Sequence, residues 1–456
     1  MSTSDRPNFI VILTDDQGYG DLSCMGATDF ETPHLDAVAA SGARFTSWYS
    51  NSPVCSPSRA ALLTGRYPVR AGVRAILSGH RQSTGLPQET PTLPKALKAE
   101  GYRTAMFGKW HLGVAEEHRP DCHGFDEWFG FLAGCIDYYS HIFYWGMAGG
   151  VNPVHDLWDN GEEIWDNGRY FTEMITERAV DYIDRVAADD DTPFLLYLPY
   201  NAPHYPMHAP QKYLDRFPDL QWDRQIMAAM LGAVDDSVGE VVAALERHGM
   251  RENTCIFFQS DNGPSREVRN WLDGREDAYY GGTAGKLKGH KFSLYEGGIR
   301  MPALISWPDR IPPGQVLDDV GAAFDIFPTL LNAAGGDSSQ YDLDGLDILP
   351  MLADGAGSPH EEIFWEMAGQ TAVRRGNWKL VLNGRLEEGA PPEDDVHLAD
   401  VEADMGERSN LKDEHPDVAA ELKSAAEAWR ADIDEHWDTR WKGAAKRHTG
   451  HPLKAD

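Results

Sequence analysis

Basic residues are scarce in this chain of 456 residues. Lysine and arginine total 41, whereas aspartate and glutamate total 72, so the formal net charge at pH 7 is −31. A protein that binds nucleic acid through phosphates needs a basic surface, and this balance therefore argues against a nucleic-acid partner. The excess of acid is instead typical of a soluble protein whose copies repel one another.

Cysteine is scarce as well, and long apolar runs are missing. The five cysteines are loosely spaced, which predicts neither a disulfide framework nor a zinc-binding knuckle. The first apolar run, residues 9–13, is too short for a secretory or membrane segment. We therefore expect no membrane partner and a cytoplasmic protein, or a periplasmic or secreted one if a leader has been removed.

Length and composition indicate two globular domains. With 42% apolar residues, a chain of this length can bury a large core. A stretch rich in glycine, alanine and aspartate at residues 353–358 predicts a boundary between a larger domain, residues 1–355, and a smaller one, residues 356–456. The smaller domain is expected to contain short antiparallel strands, a helix at residues 417–435 and a tail. The tail either frays or docks on a neighbouring subunit, so a homo-oligomer stays open.

Acidic side chains follow two apolar segments that are predicted to be buried strands. The first segment, residues 8–14, leads into Asp15 and Asp16, and the second ends just before Asp261 and Asn262. Two strands that end in this way would supply three carboxylates and one amide to a single site. Such a site suits Ca²⁺ or Mg²⁺ better than zinc. The alternative is a pair of solvated turns, in which aspartate and glycine are common.

The stretch from Pro53 to Arg59 predicts a cysteine at the start of a helix. Pro57 suits the first helical turn, because its missing N–H costs little there. The free N–H groups of a helix start, together with Arg59, favour an anion. The alternative is that Cys55 is a buried structural cysteine before an ordinary helix.

Two further loops carry groups that could bind an anion or transfer a proton. Lys109 and His111 are two residues apart and are flanked by glycines at the end of a predicted strand, and prolines fix the loop that presents His204. The alternative is a lysine on a surface loop and two structural histidines.

Several separated motifs together resemble one enzyme family. Residues 55–59, Cys-Ser-Pro-Ser-Arg, resemble the Cys-x-Pro-x-Arg signature of the formylglycine sulfatases, and residues 108–113 match its second signature, Gly-Lys-Trp-His-Leu-Gly. Residues 123–130 and 295–302 continue the resemblance in family order, with Met301 in place of the family's valine. The chain is similar to the formylglycine-dependent type I sulfatases, and most of all to the group of arylsulfatase A and N-acetylgalactosamine-6-sulfatase.

The resemblance implies the fold of the alkaline phosphatase superfamily. This fold is α/β, with a large mixed β-sheet sandwiched by helices and a small C-terminal α+β domain with a four-stranded antiparallel sheet. The family also implies a Ca²⁺ ion, with Mg²⁺ as second choice, and a maturation enzyme that oxidises the catalytic cysteine to formylglycine. The implied metal ligands are Asp15, Asp16, Asp261, Asn262 and Cys55.

The family further implies a role for each polar residue of these motifs. Formylglycine at Cys55 hydrates to a gem-diol, and one of its hydroxyls attacks sulfur and displaces the alcohol. Arg59 and Lys109 hold the formylglycine oxygens and favour their ionised form. Lys291 and Lys109 bind the sulfate and offset the charge that moves onto the bridging oxygen.

Two histidines complete the implied mechanism. His204 binds the substrate and donates a proton to the leaving alcohol, and His111 takes the proton of the second diol hydroxyl, so that sulfate leaves and the aldehyde returns. The choice of Lys291 over Lys286 and Lys288 depends on the register of the match to the family.

The substrate stays open, because residues 73–89, 134–168 and 264–285 depart from the family pattern. We expect these segments to shape the leaving-group side of the site. The aromatic residues of the second segment either line a substrate cleft or fill a satellite core, and they favour a sulfated sugar over an aryl sulfate. Two rivals are a phosphonate monoester or phosphodiester hydrolase of the same superfamily and a catalytically silent protein that binds anionic glycans.

Overall fold

The computed structural model describes residues 6–81, 83–143, 153–189, 192–266 and 280–443. The strands are β1 (Asn8–Thr14), β2 (Ala43–Phe45), β3 (Trp48–Tyr49), β4 (Arg103–Lys109), β5 (Glu127–Phe131), β6 (Ile142–Phe143), β7 (Val154–His155), β8 (Trp158–Asp159), β9 (Glu162–Glu163), β10 (Phe194–Pro199), β11 (Thr254–Ser260), β12 (Ala303–Ser306), β13 (Gln315–Leu317), β14 (Gly321–Ala322), β15 (Glu362–Met367), β16 (Gln370–Arg375), β17 (Trp378–Gly384) and β18 (Asp394–Asp400). The α-helices are α1 (Pro33–Ala40), α2 (Cys55–Thr64), α3 (Pro68–Ala71), α4 (Leu93–Ala99), α5 (Phe171–Asp189), α6 (Gln211–Leu214), α7 (Trp222–Arg247), α8 (Glu296–Ile299), α9 (Ile326–Ala333), α10 (Leu349–Asp354) and α11 (Pro416–His436).

Ten strands form one mixed sheet in the order β13-β2-β12-β11-β1-β10-β4-β5-β8-β9. Strands β11, β1, β10, β4 and β5 are parallel to one another, whereas β12 and β8 run antiparallel to their neighbours β11 and β5. Leu13 of β1 pairs with Pro199 on one side and with Gln259 on the other. The carboxyl ends of β11, β1, β10 and β4 therefore lie side by side at one edge of the sheet.

Helices cover both faces of this sheet, and the side chains of β1 alternate between them. Ile10 and Ile12 pack in one core with residues of α5 and α7. Phe9, Val11 and Leu13 pack in a second core with residues of α2, α4 and α9. All five side chains are buried, which explains why β1 is a continuous apolar run instead of an alternating one.

A separate antiparallel sheet of four strands, β15 to β18, follows in chain order. Trp365 and Val381 on one of its faces pack with Tyr295 of the larger part of the chain. Leu380 on the other face packs with Leu422 of α11. The predicted fold class, a large mixed sheet with covering helices and a smaller four-stranded antiparallel sheet, is confirmed. The domain boundary at residue 355 stays a prediction.

Several sequence expectations fall partly outside the described residues. These are the polar start of the chain, the centre of the segment 264–285 and most of the tail. Of the tail, the structure describes a π-helical turn (Trp437–Trp441) that continues α11. Within the described residues, no helix combines the length and the apolar composition needed to cross a membrane.

Candidate active site

The carboxyl ends of the parallel strands gather the acidic residues that the sequence singles out. Asp15 and Asp16 follow β1, Asp261 follows β11, and His204 lies on the loop after β10. Potential ligand atoms of Asp15, Asp16, Cys55 and His204 all lie within 4.8 Å of one another. Residues from distant parts of the sequence thus share one small buried space.

Two consecutive aspartates can face this space because the backbone turns at the second one. Asp16 has a φ of 64°, a left-handed conformation that aspartate adopts more readily than most residues. The backbone N–H of Asp15 donates to the carbonyl of Ala202 at 3.1 Å, and that of Asp16 donates to Oδ1 of Asp261 at 3.2 Å. Hydrogen bonds to the neighbouring strands' loops therefore fix both residues.

Cys55 begins helix α2, as predicted, and is buried. Its thiol donates to Oδ1 of Asp15 over 3.4 Å. Burial raises the pKa of the Cys55 thiol well above its ordinary value, although Lys109 and Lys291 oppose this shift. The unmodified side chain is therefore a neutral thiol, which is a weak nucleophile compared with a thiolate.

Three buried cations neutralise the three carboxylates. Arg59 lies one turn after Cys55 on α2 and donates to Oδ2 of Asp261 from Nε at 3.1 Å and from Nη2 at 2.8 Å. The Nζ atom of Lys109 lies 2.5 Å from Oδ2 of Asp15. The Nζ atom of Lys291 lies 3.0 Å from Oδ2 of Asp16. The structure thus places Lys291 among the predicted site residues.

The neighbouring lysines are located elsewhere. Lys288 pairs with Glu393 at 2.7 Å, and Lys286 is exposed. Geometry therefore favours Lys291 for the predicted role, although the role itself stays a prediction.

Opposite charges within the site counteract the pKa shifts that burial alone would cause in Arg59 and Asp261. Burial would lower the pKa of Arg59, but the carboxylates of Asp261 and Asp15 outweigh it and raise the pKa above the ordinary value. Burial raises the pKa of Asp261, and the charge of Asp15 adds to that shift, while Arg59 and Lys109 oppose it. The charges of Arg59 and Asp261 therefore support each other against the cost of burial.

The contacts of His204 define which of its nitrogens carries a proton. Nδ1 lies 2.7 Å from the carbonyl oxygen of Tyr205, and since a carbonyl only accepts, Nδ1 is the donor. Nε2 lies 3.6 Å from Oδ2 of Asp16. Nε2 thus faces the site and becomes a proton donor whenever the ring is protonated.

His111 has the opposite tautomer and is held in a tight space. Its Nε2 lies 3.1 Å from the carbonyl oxygen of Leu77 and donates to it, while the buried Nδ1 has no hydrogen-bond partner among the described residues. Burial lowers the pKa of His111 well below its ordinary value, and Lys109 and Arg59 add to this effect. A Cβ at Gly134 would lie 2.8 Å from the ring, so only glycine leaves room for it. His111 is therefore a neutral imidazole with a free lone pair.

The oxygen atoms of this site fit a hard divalent cation. Asp15, Asp16 and Asp261 provide carboxylates, and the side-chain amide of Asn262 donates to Oδ1 of Asp16 at 2.7 Å and to the carbonyl of Gly263 at 2.9 Å. The other atom of this amide, Oδ1, is buried without a hydrogen-bond partner in the described residues. An unpaired buried oxygen beside three carboxylates is the donor set that Ca²⁺ and Mg²⁺ prefer.

The aromatic segment 134–168 divides into core and surface. Tyr138, Phe143 and Trp158 are buried in the two main cores, so these three described side chains pack in the protein interior and do not line a cleft. Trp165, in contrast, is 66% exposed and stacks on His155 with ring centroids 3.6 Å apart. Of the other aromatic residues in this segment, Tyr144 and Trp145 lie outside the described residues.

Sequence reasoning expected residues 73–89 to shape the leaving-group side of the site, but it did not single out the loop of residues 74–77, which packs beside the site. The N–H of Leu77 donates to Oγ of Ser56 at 3.0 Å, in addition to the contact of its carbonyl with His111. No motif marks this loop, because its function depends on a contact between residues that are distant in the sequence.

Comparisons of the sequence and of the structure with known proteins point to one family. The family model described as Sulfatase matches residues 7–336. Mouse arylsulfatase J is 32% identical over 92% of this chain and 75% of its own length, and mouse N-acetylgalactosamine-6-sulfatase is 34% identical over 82% and 72%. The crystal structure of Ps i-CgsB in complex with k-i-k-neocarrahexaose is 30% identical and has a TM-score of 0.82, with 97% of this chain and 99% of that chain covered.

Proposed function

The chain belongs to the sulfatase family, and from this premise we propose that it removes sulfate from a sulfated carbohydrate with formylglycine, derived from Cys55, as the nucleophile. Hydrolysis of sulfuric esters is the activity that its relatives' names share. The observation that carries the proposal is the buried Cys55 at a helix start, within 4.8 Å of ligand atoms of two aspartates and a histidine.

Oxidation of Cys55 to formylglycine would replace a weakly nucleophilic thiol with a group that can both attack sulfur and release sulfate. The neutral, buried thiol is a weak nucleophile, and a sulfate ester formed on it would have no internal exit. A maturation enzyme that oxidises it to formylglycine would supply an aldehyde hydrate, with one hydroxyl to attack sulfur and a second one to release sulfate afterwards. Arg59 and Lys109 are within reach of that side chain and favour its ionised form.

Proton transfer is assigned to the two histidines by their tautomers. A protonated His204 presents Nε2–H to the site and can protonate the leaving alcohol. His111 is neutral, with a free lone pair on Nδ1, and suits the removal of a proton from the second hydroxyl. One histidine thus acts as the acid and the other as the base.

Asp15, Asp16, Asp261, Asn262 and the modified Cys55 would hold the divalent cation. Ca²⁺ is preferred over Mg²⁺ because it accepts more oxygen ligands in a flexible geometry. When bound, the cation would favour the ionised nucleophile and polarise the sulfate.

Charge counting supports an anionic substrate despite the acidic surface. Three aspartates and three basic side chains of the site cancel, so a divalent cation would leave a local charge of plus two. Lys291 and Lys109 then contribute their ammonium groups to the sulfate and to the charge that develops on the leaving oxygen.

A carbohydrate is the substrate class that the relatives favour. One of them is named for N-acetylgalactosamine, and one similar structure holds k-i-k-neocarrahexaose. Ile76, which is 41% exposed and precedes Leu77 in the loop beside the site, offers apolar surface for sugar rings.

Mass spectrometry of the tryptic peptide 45–59, made with the maturation enzyme present, is the first test. This peptide contains one cysteine, so a mass that matches an aldehyde in place of the thiol assigns the modification to Cys55. Hydrolysis of 4-nitrophenyl sulfate is then compared with that of an aryl phosphonate. Cys55→Ser should abolish the sulfatase activity, whereas the control Cys122→Ser should retain it. An unmodified thiol in an active protein, or faster cleavage of the phosphonate, contradicts the proposal.

A further inference from the structure

A cavity of about 520 Å³ opens between the loop of residues 74–77, the four-stranded sheet and the end of α11. Its volume is within the range of ligand-binding pockets. Two guanidinium groups, three carboxylates and a few small or apolar side chains line it. These residues are Arg74, Ala75, Glu366, Met367, Ala368, Gly369, Arg430, Asp434 and Asp438.

The first wall of this cavity leads to the proposed nucleophile through a short stretch of chain and one hydrogen bond. Ala75 lies two residues before Leu77, whose N–H donates to Ser56 at 3.0 Å, and Ser56 is the neighbour of Cys55. The carbonyl of Leu77 in turn accepts from His111. The loop therefore borders both the nucleophile's helix and the proposed base.

The second wall is connected to the sulfate-binding side. The turn between β15 and β16 ends at Gln370, whose side-chain amide donates to the carbonyl of Phe292 at 2.8 Å. Phe292 is the neighbour of Lys291, and its own N–H donates to the carbonyl of Pro53 at 3.0 Å. The cavity is thus bounded by two segments that each lead, within a few residues, to the candidate active site.

A network of four charged side chains crosses the cavity and fixes its walls. Arg74 donates to both oxygens of Glu366, at 3.0 and 3.1 Å, and also to Asp434. Arg430 lies 3.0 Å from Oδ2 of Asp434 and 3.2 Å from Oε2 of Glu366. Both guanidinium groups are therefore paired within the network, and the additional carboxylate of Asp438 lies at the rim with 57% of its side chain exposed.

We propose that this cavity is a subsite for a neutral sugar ring linked to the sulfated one, an inference that rests on the proposed carbohydrate function. Sugar hydroxyls both donate and accept, so they can bind carboxylate oxygens and guanidinium N–H groups that already hold one another. A second sulfate or a uronic acid would instead have to compete for cations that already hold carboxylates, because the two arginines hold Glu366 and Asp434 and Lys442 holds Asp438 at 2.9 Å. Ala75 and the half-buried Met367, which both line the cavity, supply apolar surface for the C–H face of the ring.

Steric closure of the cavity tests the subsite. Ala75 is exposed, so Ala75→Phe should fold normally while it fills the space of a sugar ring. Ala187→Phe is the matched control, because Ala187 is also exposed and precedes the amino end of β10, at the sheet edge opposite the site. Arg74→Met, with folding monitored by thermal unfolding, removes the polar partner and keeps the aliphatic stem.

The substrates are 4-nitrophenyl sulfate and a panel of monosulfated galactose, N-acetylgalactosamine and N-acetylglucosamine. Each sugar is tested alone, linked to a neutral ring and linked to a sulfated ring. We expect wild type to prefer the neutral-linked disaccharide over the other two forms. In Ala75→Phe and Arg74→Met, the ratio of kcat/KM for that disaccharide to kcat/KM for 4-nitrophenyl sulfate should fall at least tenfold, and in Ala187→Phe it should not change.

Each outcome separates the subsite from the underlying function. Equal ratios in wild type and Ala75→Phe, or a preference for the sulfate-bearing neighbour, overturn the subsite and leave the carbohydrate sulfatase in place. Hydrolysis of 4-nitrophenyl sulfate without hydrolysis of any sulfated sugar overturns both the subsite and the carbohydrate substrate. Absence of hydrolysis of every sulfate ester by the modified wild-type protein overturns the proposed function itself.

Discussion

Replacement of Lys291 by methionine removes a buried charge and keeps nearly the same side-chain volume. The Nζ atom lies 3.0 Å from Oδ2 of Asp16, and direct contact of the ammonium with a bound sulfate would place the two charges about 4 Å apart. Two unit charges at that distance interact by about 4 kcal/mol at an effective dielectric constant of about 20. If about half a unit of charge moves onto the leaving oxygen, Lys291 stabilises the transition state by roughly 2 kcal/mol.

The transition-state stabilisation lost on removal of the Lys291 charge determines the expected fall in kcat. A loss of about 2 kcal/mol slows the reaction about 30-fold, and removal of one preorganised donor commonly costs 100- to 1000-fold in kcat. We therefore expect kcat of Lys291→Met on 4-nitrophenyl sulfate to fall roughly 30- to 300-fold. Removal of one partner from a buried ion pair costs about 3–5 kcal/mol of unfolding free energy, but Asp16 keeps the hydrogen bond from Asn262 at 2.7 Å. Turnover is therefore measured at a temperature at which a melting curve shows the variant to be folded.

Lys286→Met is the matched control, since Lys286 is only five residues away and exposed. Its kcat should stay within twofold of wild type. Wild-type turnover in Lys291→Met, or equal losses in both variants, would refute the assignment of Lys291 to the sulfate.

Four further outcomes are expected. Chelation should abolish activity, Ca²⁺ should restore it better than Mg²⁺, and Ca²⁺ at about 100 times its Kd should raise the unfolding free energy by about 2.7 kcal/mol in denaturant titrations. Trp165 lies in the segment expected to shape the leaving-group side, so Trp165→Ala should lower kcat/KM for sulfated oligosaccharides about 2- to 12-fold, as expected for loss of one aromatic contact. Trp222→Ala, which changes a side chain 51% exposed on α7, should not lower it. Lys379 is fully buried between Glu296 and Glu407, at 2.9 and 3.2 Å, so Lys379→Met should cost about 3–5 kcal/mol in urea unfolding. Finally, kcat/KM for an anionic ester should rise between about 10 and 100 mM salt, where the screening length falls from about 30 to 10 Å.

Much of the fold was predictable because the central strands are buried on both faces. Residues 8–14 and 254–259 are continuous apolar runs, and the structure places β1 and β11 there. Strand β18 was not predicted as a strand, since its residues Asp394 and Asp395 have low strand propensity and it is stabilised by its pairing with β17. Pairing partners, and with them the position of an edge strand, depend on tertiary contacts that a local pattern does not contain.

The sequence indicated which residues lie in the candidate site, but not which of them form hydrogen bonds or ion pairs with one another. Motifs singled out all ten side chains, but they did not predict that Arg59 donates to Asp261 or that Lys109 contacts Asp15. Residues 73–89 were expected to shape the leaving-group side, but no motif predicted that the backbone N–H of Leu77 bonds to Ser56, next to Cys55. Backbone donors are common to all residue types, so their positions follow from the folded chain and leave no trace in the residue identities.

An acidic protein that hydrolyses an anionic ester must separate its surface charge from its site charge. The net charge of −31 resides mainly on exposed side chains, and solvent screens exposed charges within about 8 Å at physiological salt. The charges of Asp15, Asp16 and Asp261 are buried and compensated at close range by Arg59, Lys109 and Lys291, in the buried setting where electrostatic interactions are strongest. Substrate capture is therefore opposed by the surface only at long range and low salt, whereas binding and chemistry would depend on the local charges of the site and on the proposed cation.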